Sequence, residues 1–211
     1  MKSVRKRNRQ QTMERILWAL GEVIAERGAE KAGVNSVAEK AGVNKVLIYR
    51  YFGGYEGLME QFIQQGHFLS LFTDQFIDDH ENLPESKKHG AWAEYMIQLL
   101  HEFRSRRASQ ELIRWELMNH ESELGKRMTE VRNHTFRKIL DKLGGNTQAD
   151  MGAVTTLMVS GITFLVLASS YRRHLVDLDL QSEAGWKRIE NAIERLYAGL
   201  SVPLESEMVA K

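Results

Sequence analysis

The stretch 38-AEKAGVNKVLIYRYF-52 decides the fold of the N-terminal region. It opens as a short helix, turns at Gly42, and restarts as a second helix behind Asn44. Glycine reaches the positive φ that such a turn needs, and asparagine is a favoured N-cap. Two short helices joined by a tight glycine turn predict a helix-turn-helix, in which the second helix enters the major groove of DNA.

A third helix precedes this pair. It is predicted by an apolar repeat of 3.6 residues that stops at Gly28, and either Gly33 or Asn35 is expected to cap the helix that follows. The repeat consists of Ile16, Leu17, Leu20, Val23 and Ile24.

Apolar periodicity stays helical over the rest of the chain, so the predicted fold class is all-α, with no strand. A long helix with a bend near Gly66 is expected after Gly53. A loop at 82–84 and a turn at 144–146 separate later elements. Further helices are predicted near residues 88–106, 108–119, 121–143, 148–173 and 183–200.

Composition and charge narrow the function. The 211 residues include no cysteine, which excludes disulfides, thiolate catalysis and cysteine-ligated zinc. Residues 1–55 hold 11 Lys or Arg and 5 Asp or Glu, a net charge of +6, whereas residues 56–211 hold 18 and 23, a net charge of −5. This imbalance predicts a polyanionic partner for the first part alone; a solvated charged face is the alternative.

The apolar run 151–168 is short for a membrane span and is interrupted by hydroxyl residues such as Thr155 and Ser160. A buried helix is therefore expected there, and no membrane is expected as a partner. The basic first residues are not followed by an apolar segment, so no secretory signal is predicted and a cytoplasmic location is expected.

The residues of the helix-turn-helix fall into two groups: those expected to face DNA and those expected to pack the helices together. Lys45 suits a base edge or a phosphate, Val46 and Leu47 suit a thymine methyl, and the Tyr49 and Tyr51 hydroxyls suit phosphate oxygens. Small or apolar residues must pack the two helices together. These are Val37, Ala38, Ala41, Val43, Ile48 and Phe52.

Asn35, near the start of the second helix, is expected to donate to the DNA backbone, where helix N-termini also favour phosphate. Packing is the alternative role for Tyr49 and Tyr51, and Arg50 is expected to point away from the groove. The basic tail is expected either to follow the minor groove or to stay disordered. It contains Arg5, Lys6, Arg7 and Arg9.

Together these features resemble the N-terminal domain of the TetR family of bacterial transcription regulators. The resemblance covers about residues 12–63. It rests on a helix that ends in 26-ERG-28, a turn 37-VAEKAGV-43 and the segment 48-IYRYFGG-54. It implies a DNA-binding domain over residues 1–55, a ligand-binding and dimerisation domain over 56–211, a homodimer, and release from double-stranded DNA by a small-molecule effector.

Carried over by position, the resemblance adds Tyr55 to the DNA contacts, where the family usually has a lysine. A tyrosine hydroxyl can still donate to phosphate. Gly33 replaces the usual threonine or serine cap, and Leu47 replaces a commoner hydroxyl residue. The full set of implied DNA contacts is Asn35, Lys45, Val46, Leu47, Tyr49, Tyr51 and Tyr55.

Large side chains at helical spacing between residues 88 and 173 either fill a core or line a cavity. The resemblance favours a cavity for an apolar or aromatic ligand. The expected lining residues are Trp92, Phe103, Trp115, Met118 and Phe164.

The helix from Met151 and the last helix are expected to form a four-helix interface between two copies of the chain; packing within one chain is the alternative. Glu116 and His120 alone make too poor a ligand set for a metal, so no metal or other cofactor is expected. A basic cluster is expected to solvate the surface or form salt bridges. It comprises Arg104, Arg106, Arg107 and Arg114.

The predicted function is therefore ligand-controlled DNA binding, most simply by a repressor. A transcriptional activator of the same fold and a helical protein-interaction module are the alternatives. An enzyme is not expected, because the sequence has no nucleophile elbow, Walker loop, dinucleotide fingerprint or metal motif.

Overall fold

The computed structural model describes residues 2–65, 72–144, 150–171 and 173–200, with the backbone alone for residues 2–7. Within these residues the chain is all-α apart from one short strand pair, which confirms the predicted fold class. The helices are α1 Lys2–Arg27, α2 Val34–Ala41, α3 Val46–Phe52, α4 Tyr55–Gln64, α5 Thr73–His80, α6 Glu85–Ser105, α7 Arg107–Met118, α8 Glu123–Leu143, α9 Met151–Ser169 and α10 Glu183–Gly199, with a 3₁₀ turn at Ala29–Lys31.

The end of α1 and the start of α2 lie where the sequence predicts. α1 stops before Gly28, which has φ 83°, and Gly33 rather than Asn35 is the N-cap of α2. The Gly33 cap has no side-chain oxygen; its own N–H instead donates to the Ser36 hydroxyl at 3.1 Å. Ser36 thus supplies one half of a capping box, while the half that a serine or threonine side chain at residue 33 would supply is absent.

Helix α1 differs from the expectation at its start. The basic residues predicted as a separate tail continue α1 back to Lys2. The segment 2–11 contains no glycine or proline, so nothing in it stops a helix that the apolar repeat has already started.

The absence of strands was also a wrong prediction. β1 (His174–Leu175) and β2 (Leu178–Asp179) form an antiparallel pair around Val176, which has φ 55°. Strands of two residues are too short to show alternation of apolar and polar positions, so this hairpin leaves no periodic signal. It ends α9 at Ser169, four residues before the predicted end.

The long helix predicted after Gly53 is represented by α4 and α5. The bend predicted near Gly66 lies outside the described residues. The loop predicted at 82–84 lies between α5 and α6, as expected.

The chain divides into two compact units. The first unit comprises residues 1–71 and 105–133, and the second comprises 72–104 and 134–211. The predicted functional boundary between residues 55 and 56 is a different division, based on DNA binding rather than packing, and it stays a prediction.

The core of the first unit is the apolar repeat of α1. Its five predicted residues are at most 2% exposed, and α1 packs against both α2 and α7. The same core includes Val37 of α2, Ile48 of α3 and Leu58 of α4, each with no exposed surface.

The core of the second unit is aromatic. Trp92 of α6 is buried, its indole N–H donates to the Leu143 carbonyl oxygen at 3.1 Å, and its ring stacks on Tyr197 of α10 with centroids 6.4 Å apart. Tyr95 is also buried and its hydroxyl lies 3.1 Å from that of Thr73. These contacts tie α5, α6, α8 and α10 into one unit.

Helix α9 corrects the expectation of a buried helix. Its length and mean hydropathy of 1.9 would suffice for a membrane crossing, yet only 22% of its most apolar stretch is buried. Leu157 is 73% exposed and Phe164 is 59% exposed. One face of α9 therefore packs inside the second unit, and an apolar face is left uncovered.

Candidate nucleic-acid interface

The turn between α2 and α3 is built around Gly42. This glycine has φ 62° and ψ 41°, in the left-handed region that L side chains rarely adopt. The Val43 N–H donates to the Ala38 carbonyl at 3.0 Å and the Gly42 N–H donates to that of Glu39 at 3.1 Å, so the last carbonyls of α2 are satisfied. A Cβ at Gly42 would meet no atom within 4 Å, so backbone conformation alone makes glycine necessary.

The inward face of the motif is packed as predicted at five of its six residues, and the sixth, Val43, is half-buried. Val37, Ala38 and Ala41 of α2 are buried, as are Ile48 and Phe52 of α3. Alanine at two of these positions lets the two helices approach closely.

Helix α3 begins behind Asn44, whose side-chain oxygen accepts the Val46 N–H at 2.9 Å. This cap leaves Lys45 and Val46 at the exposed start of the helix, with Val46 60% exposed. Tyr49, one turn further on, is 56% exposed, whereas Leu47 is half-buried. The exposed face of α3 therefore carries a cation, an aliphatic group and a phenol.

Two predicted contacts from different helices meet at this face. The Lys45 ammonium lies 3.5 Å from the Asn35 side-chain oxygen, and both residues are exposed. Within the described residues the ammonium has no carboxylate partner, so its charge is not neutralised. Lys40 differs, because it is paired with Glu26, and this ammonium lowers the pKa of the Glu26 carboxyl.

Tyr51 brings α1 to the same region. The Arg9 guanidinium lies 5.2 Å from the centre of the half-buried Tyr51 ring, within the range of a cation–π contact. The Tyr51 ring thus holds a cation of α1 beside α3, which is a contact that the sequence did not predict, and the phosphate contact of its hydroxyl stays a prediction. Sequence spacing could not show this contact, since Arg9 and Tyr51 are on separate helices.

The junction of α3 and α4 depends on a glycine that the sequence reasoning missed. A Cβ at Gly57 would lie 1.9 Å from the Phe52 carbonyl oxygen, far inside any allowed contact. The first turn of α4 therefore lies directly on the end of α3. Gly53 and Gly54, with φ 79° and 125°, make the tight link that permits this approach.

The structure does not support the predicted phosphate contact of the Tyr55 hydroxyl. That oxygen is buried and has no hydrogen-bond partner among the described residues, and burial raises the pKa of the phenol to about 12. The side chain of Tyr55 faces inward because α4 begins against the end of α3.

The five predicted ligand-lining residues lie in different surroundings. Trp115 and Met118 belong to the first unit, and the other three to the second. Met118 is 78% exposed and Phe164 is largely exposed, whereas Trp92 and Phe103 are core residues. Large apolar side chains at helical spacing do not distinguish a cavity from a core or an interface.

The predicted basic cluster forms salt bridges. Arg107 and Arg114 lie 2.8 and 2.6 Å from the Glu111 carboxylate in the first unit, and Arg104 lies 2.7 Å from Glu183 in the second. Such pairs at the surface contribute little stability.

Comparison with known proteins fits this geometry. Residues 16–62, from the core of α1 into α4, match the family model for bacterial regulatory proteins of the tetR family. The chain carries a TetR-family DNA-binding domain. No curated protein sequence matches the chain closely enough to support a relationship.

Solved structures extend the likeness to the whole TetR-type fold. The fatty acid degradation regulator FadR from Bacillus halodurans is 18% identical with a TM-score of 0.62, over 88% of this chain and 97% of that one. A transcriptional regulator from Rhodococcus sp. Rha1 is 20% identical with a TM-score of 0.63, over 90% and 99%. NalD of Pseudomonas aeruginosa, the secondary repressor of the MexAB-OprM multidrug efflux pump, is 17% identical with a TM-score of 0.59, over 90% and 96%. At these identities the likeness shows the fold alone, while the family match is confined to residues 16–62.

Proposed function

We propose that this chain is a TetR-family transcriptional regulator, a repressor that binds double-stranded DNA as a homodimer and is released by a small-molecule effector. The observation that carries the proposal is the exposed face of α3. Ile48 and Phe52 fix the helix from behind, while Lys45 and Tyr49 face solvent without a carboxylate partner among the described residues. An anchored helix with an unneutralised cation at its exposed N-terminal end suits the major groove.

Each residue of this face has a proposed role. Lys45 and Val46 contact base edges, since the start of a recognition helix lies deepest in the groove. Tyr49 and Tyr51 hold phosphates, together with Asn35 at the start of α2. Leu47, being half-buried, contributes a smaller apolar contact.

The homodimer is proposed from the uncovered apolar face of α9, together with Leu196 of α10, which is 60% exposed. Isolated protomers would leave Leu157 and Phe164 in water. Burying such a face against its own copy about a two-fold axis gives a closed dimer. The dimer would hold two α3 helices about 34–36 Å apart, or a multiple of that distance, to meet successive major grooves.

The effector acts through its preference for one conformation of the dimer. A ligand that binds better to the form unable to span two grooves weakens DNA binding by its difference in affinity, commonly about 1–3 kcal/mol. We propose an apolar or aromatic effector, the class that the store of large apolar side chains between residues 88 and 173 favours. No catalytic step is part of this proposal.

The test begins with selection of a preferred duplex from a random library by the purified chain. Fluorescence anisotropy then gives the affinity for this duplex between about 50 and 200 mM salt. Lys45→Ala is expected either to relax the preference at one base pair or, if it contacts phosphate, to reduce the salt slope by about one.

Lys87→Ala is the matched control, because it removes the same charge from an exposed position on α6. Its affinity and salt slope should equal those of the parent chain. Failure of the selection to enrich any sequence, or equal losses in both variants, would contradict the proposal.

A further inference from the structure

A groove opens between α6 and α10 in the second unit. Its volume is about 670 Å³, within the range of about 300–1,000 Å³ that small-molecule sites occupy. None of the five ligand-lining residues predicted from the sequence contributes to it. The groove is lined mainly by one face of α6, between Ser86 and His101, and by Glu194 and Ala198 of α10.

The groove results from the way these two antiparallel helices are held. At one end they are bridged directly, because the His101 imidazole lies 2.6 Å from the Glu190 carboxylate and Arg104 lies 2.7 Å from Glu183. Toward the start of α6, small residues face the groove between the two helices. Gly90 and Ala93 line this part, and a Cβ at Gly90 would meet no atom within 4 Å.

The lining has a defined chemistry. Ala93, Ile97 and Ala198 supply an apolar surface, and the carboxylates of Glu94 and Glu194 flank it from opposite helices. No lysine or arginine is among the lining residues. The Glu194 carboxylate forms no hydrogen bond or salt bridge among the described residues, although its charge contributes, after that of Glu190, to raising the pKa of Lys187; Glu94 is paired only with His80, 3.5 Å away.

A further polar group is unsatisfied at the same groove. The Nε2 atom of His89 is buried and, across the described residues, has no hydrogen-bond partner. Buried polar atoms are rarely left unpaired, so this nitrogen is a candidate partner for a bound molecule.

We propose that this groove binds a small organic cation with an apolar body, its ammonium or guanidinium group between Glu94 and Glu194. The apolar strip takes the body of the ligand, and the two carboxylates reject anions. As an effector site the groove rests on the proposed repressor function; as a binding site it does not. The proposed ligand keeps the apolar or aromatic body that the sequence favours and carries a positive charge in addition.

The test uses three probes with the same apolar body and different charge: 4-phenylbutylamine, 4-phenylbutanol and 4-phenylbutyrate. Isothermal titration calorimetry on the purified full chain without DNA should show binding of the amine and little or none of the acid. Similar affinities for all three probes would overturn the proposal.

Two variants locate the site. Gly90→Leu fills open space with a better helix former and should abolish binding of the amine while the chain stays folded. The double variant Glu94→Gln and Glu194→Gln should weaken binding roughly fivefold, the effect of losing two solvent-screened charge contacts. The control, Asp78→Asn with Asp141→Asn, changes net charge equally at exposed positions of the second unit and should bind like the parent.

The outcomes separate this site from the repressor function. If the amine binds and Gly90→Leu removes it, the site stands even if DNA affinity does not respond to the amine, and the release mechanism then fails. Binding that survives Gly90→Leu places the amine elsewhere and overturns the site. Analytical ultracentrifugation of Gly90→Leu is the last check. If this variant is no longer a dimer, the groove is part of the contact with a second copy of the chain, and the proposed ligand site is overturned as well.

Discussion

Helices α3 and α9 are both anchored along one face and exposed along the other, but their exposed faces differ in chemistry. α3 offers Lys45, Val46 and Tyr49, a mixture of charge, methyl groups and a hydroxyl. α9 offers Leu157 and Phe164 beside the small residues Ser160 and Gly161.

The difference indicates what each face meets. A polar, cationic face stays soluble until it contacts a polyanion, and its binding is weakened by salt. An aliphatic face with small residues permits close approach of another helix, and its burial gains from the hydrophobic effect. The α3 face therefore suits nucleic acid, and the α9 face suits protein.

The largest effect is expected from a substitution that disrupts the packing of α4 on the end of α3. Gly57→Ala places a methyl group 1.9 Å from the Phe52 carbonyl oxygen, so α4 must move away from α3. We expect a loss of about 3 kcal/mol or more in the free energy of unfolding, measured by denaturant titration.

Gly90→Ala is the control for Gly57→Ala, because its Cβ enters open space in α6. It should raise the free energy of unfolding by about 0.5–1 kcal/mol through helix propensity. Equal small effects in both variants would show that the α3–α4 junction adapts to a side chain at residue 57.

The α9 face can be broken without touching α3. Leu157→Glu should weaken the proposed dimer by about 3 kcal/mol, because two carboxylates would be buried across the two-fold axis. Sedimentation velocity measures this as a shift from dimer to monomer at micromolar concentration.

Leu117→Glu, at an exposed position of α7, introduces the same charge elsewhere and should leave the dimer intact. A parent chain that is already monomeric, or a Leu157→Glu variant that remains dimeric, would rule out α9 as the interface.

The smallest effect is expected at Tyr55, which tests whether this residue belongs to the DNA-binding face beside α3 or to the packed interior. Tyr55→Phe removes a buried hydroxyl that lacks a partner among the described residues, so stability at neutral pH should change by less than about 1 kcal/mol and DNA affinity should not change.

The same variant should alter the response to alkali. Since burial raises the pKa of Tyr55 from 10.0 to about 12, the contribution of the neutral phenol to stability is present below pH 10 and is lost as pH rises toward 12. Thermal unfolding across this interval should show a smaller loss for Tyr55→Phe than for the parent. Lower DNA affinity in this variant would instead restore the hydroxyl as a contact.

Local sequence signals were sufficient for the helix-turn-helix. Gly28, Gly42 and Asn44 mark helix ends through backbone and capping preferences that depend only on neighbouring residues. The α1 repeat identified the core of the first unit for the same reason, since one face of one helix is read directly from the sequence.

Features that depend on distant residues were missed. The inward position of Tyr55 follows from how α4 lies on α3, and the contact between Arg9 and Tyr51 joins two helices. An apolar helix reads the same whether its own chain or another covers it, so the sequence left open whether α9 is buried within one chain or between two copies. The groove between α6 and α10 arises from small residues, which leave no periodic signal.

The uncovered face of α9 has a consequence for gene dosage. With the dimer proposed here, the concentration of DNA-competent species below the dissociation constant follows the square of the protomer concentration, so halving synthesis lowers it about fourfold. A promoter under this control would respond to changes in the abundance of its regulator as a threshold rather than in proportion, even before any ligand is bound.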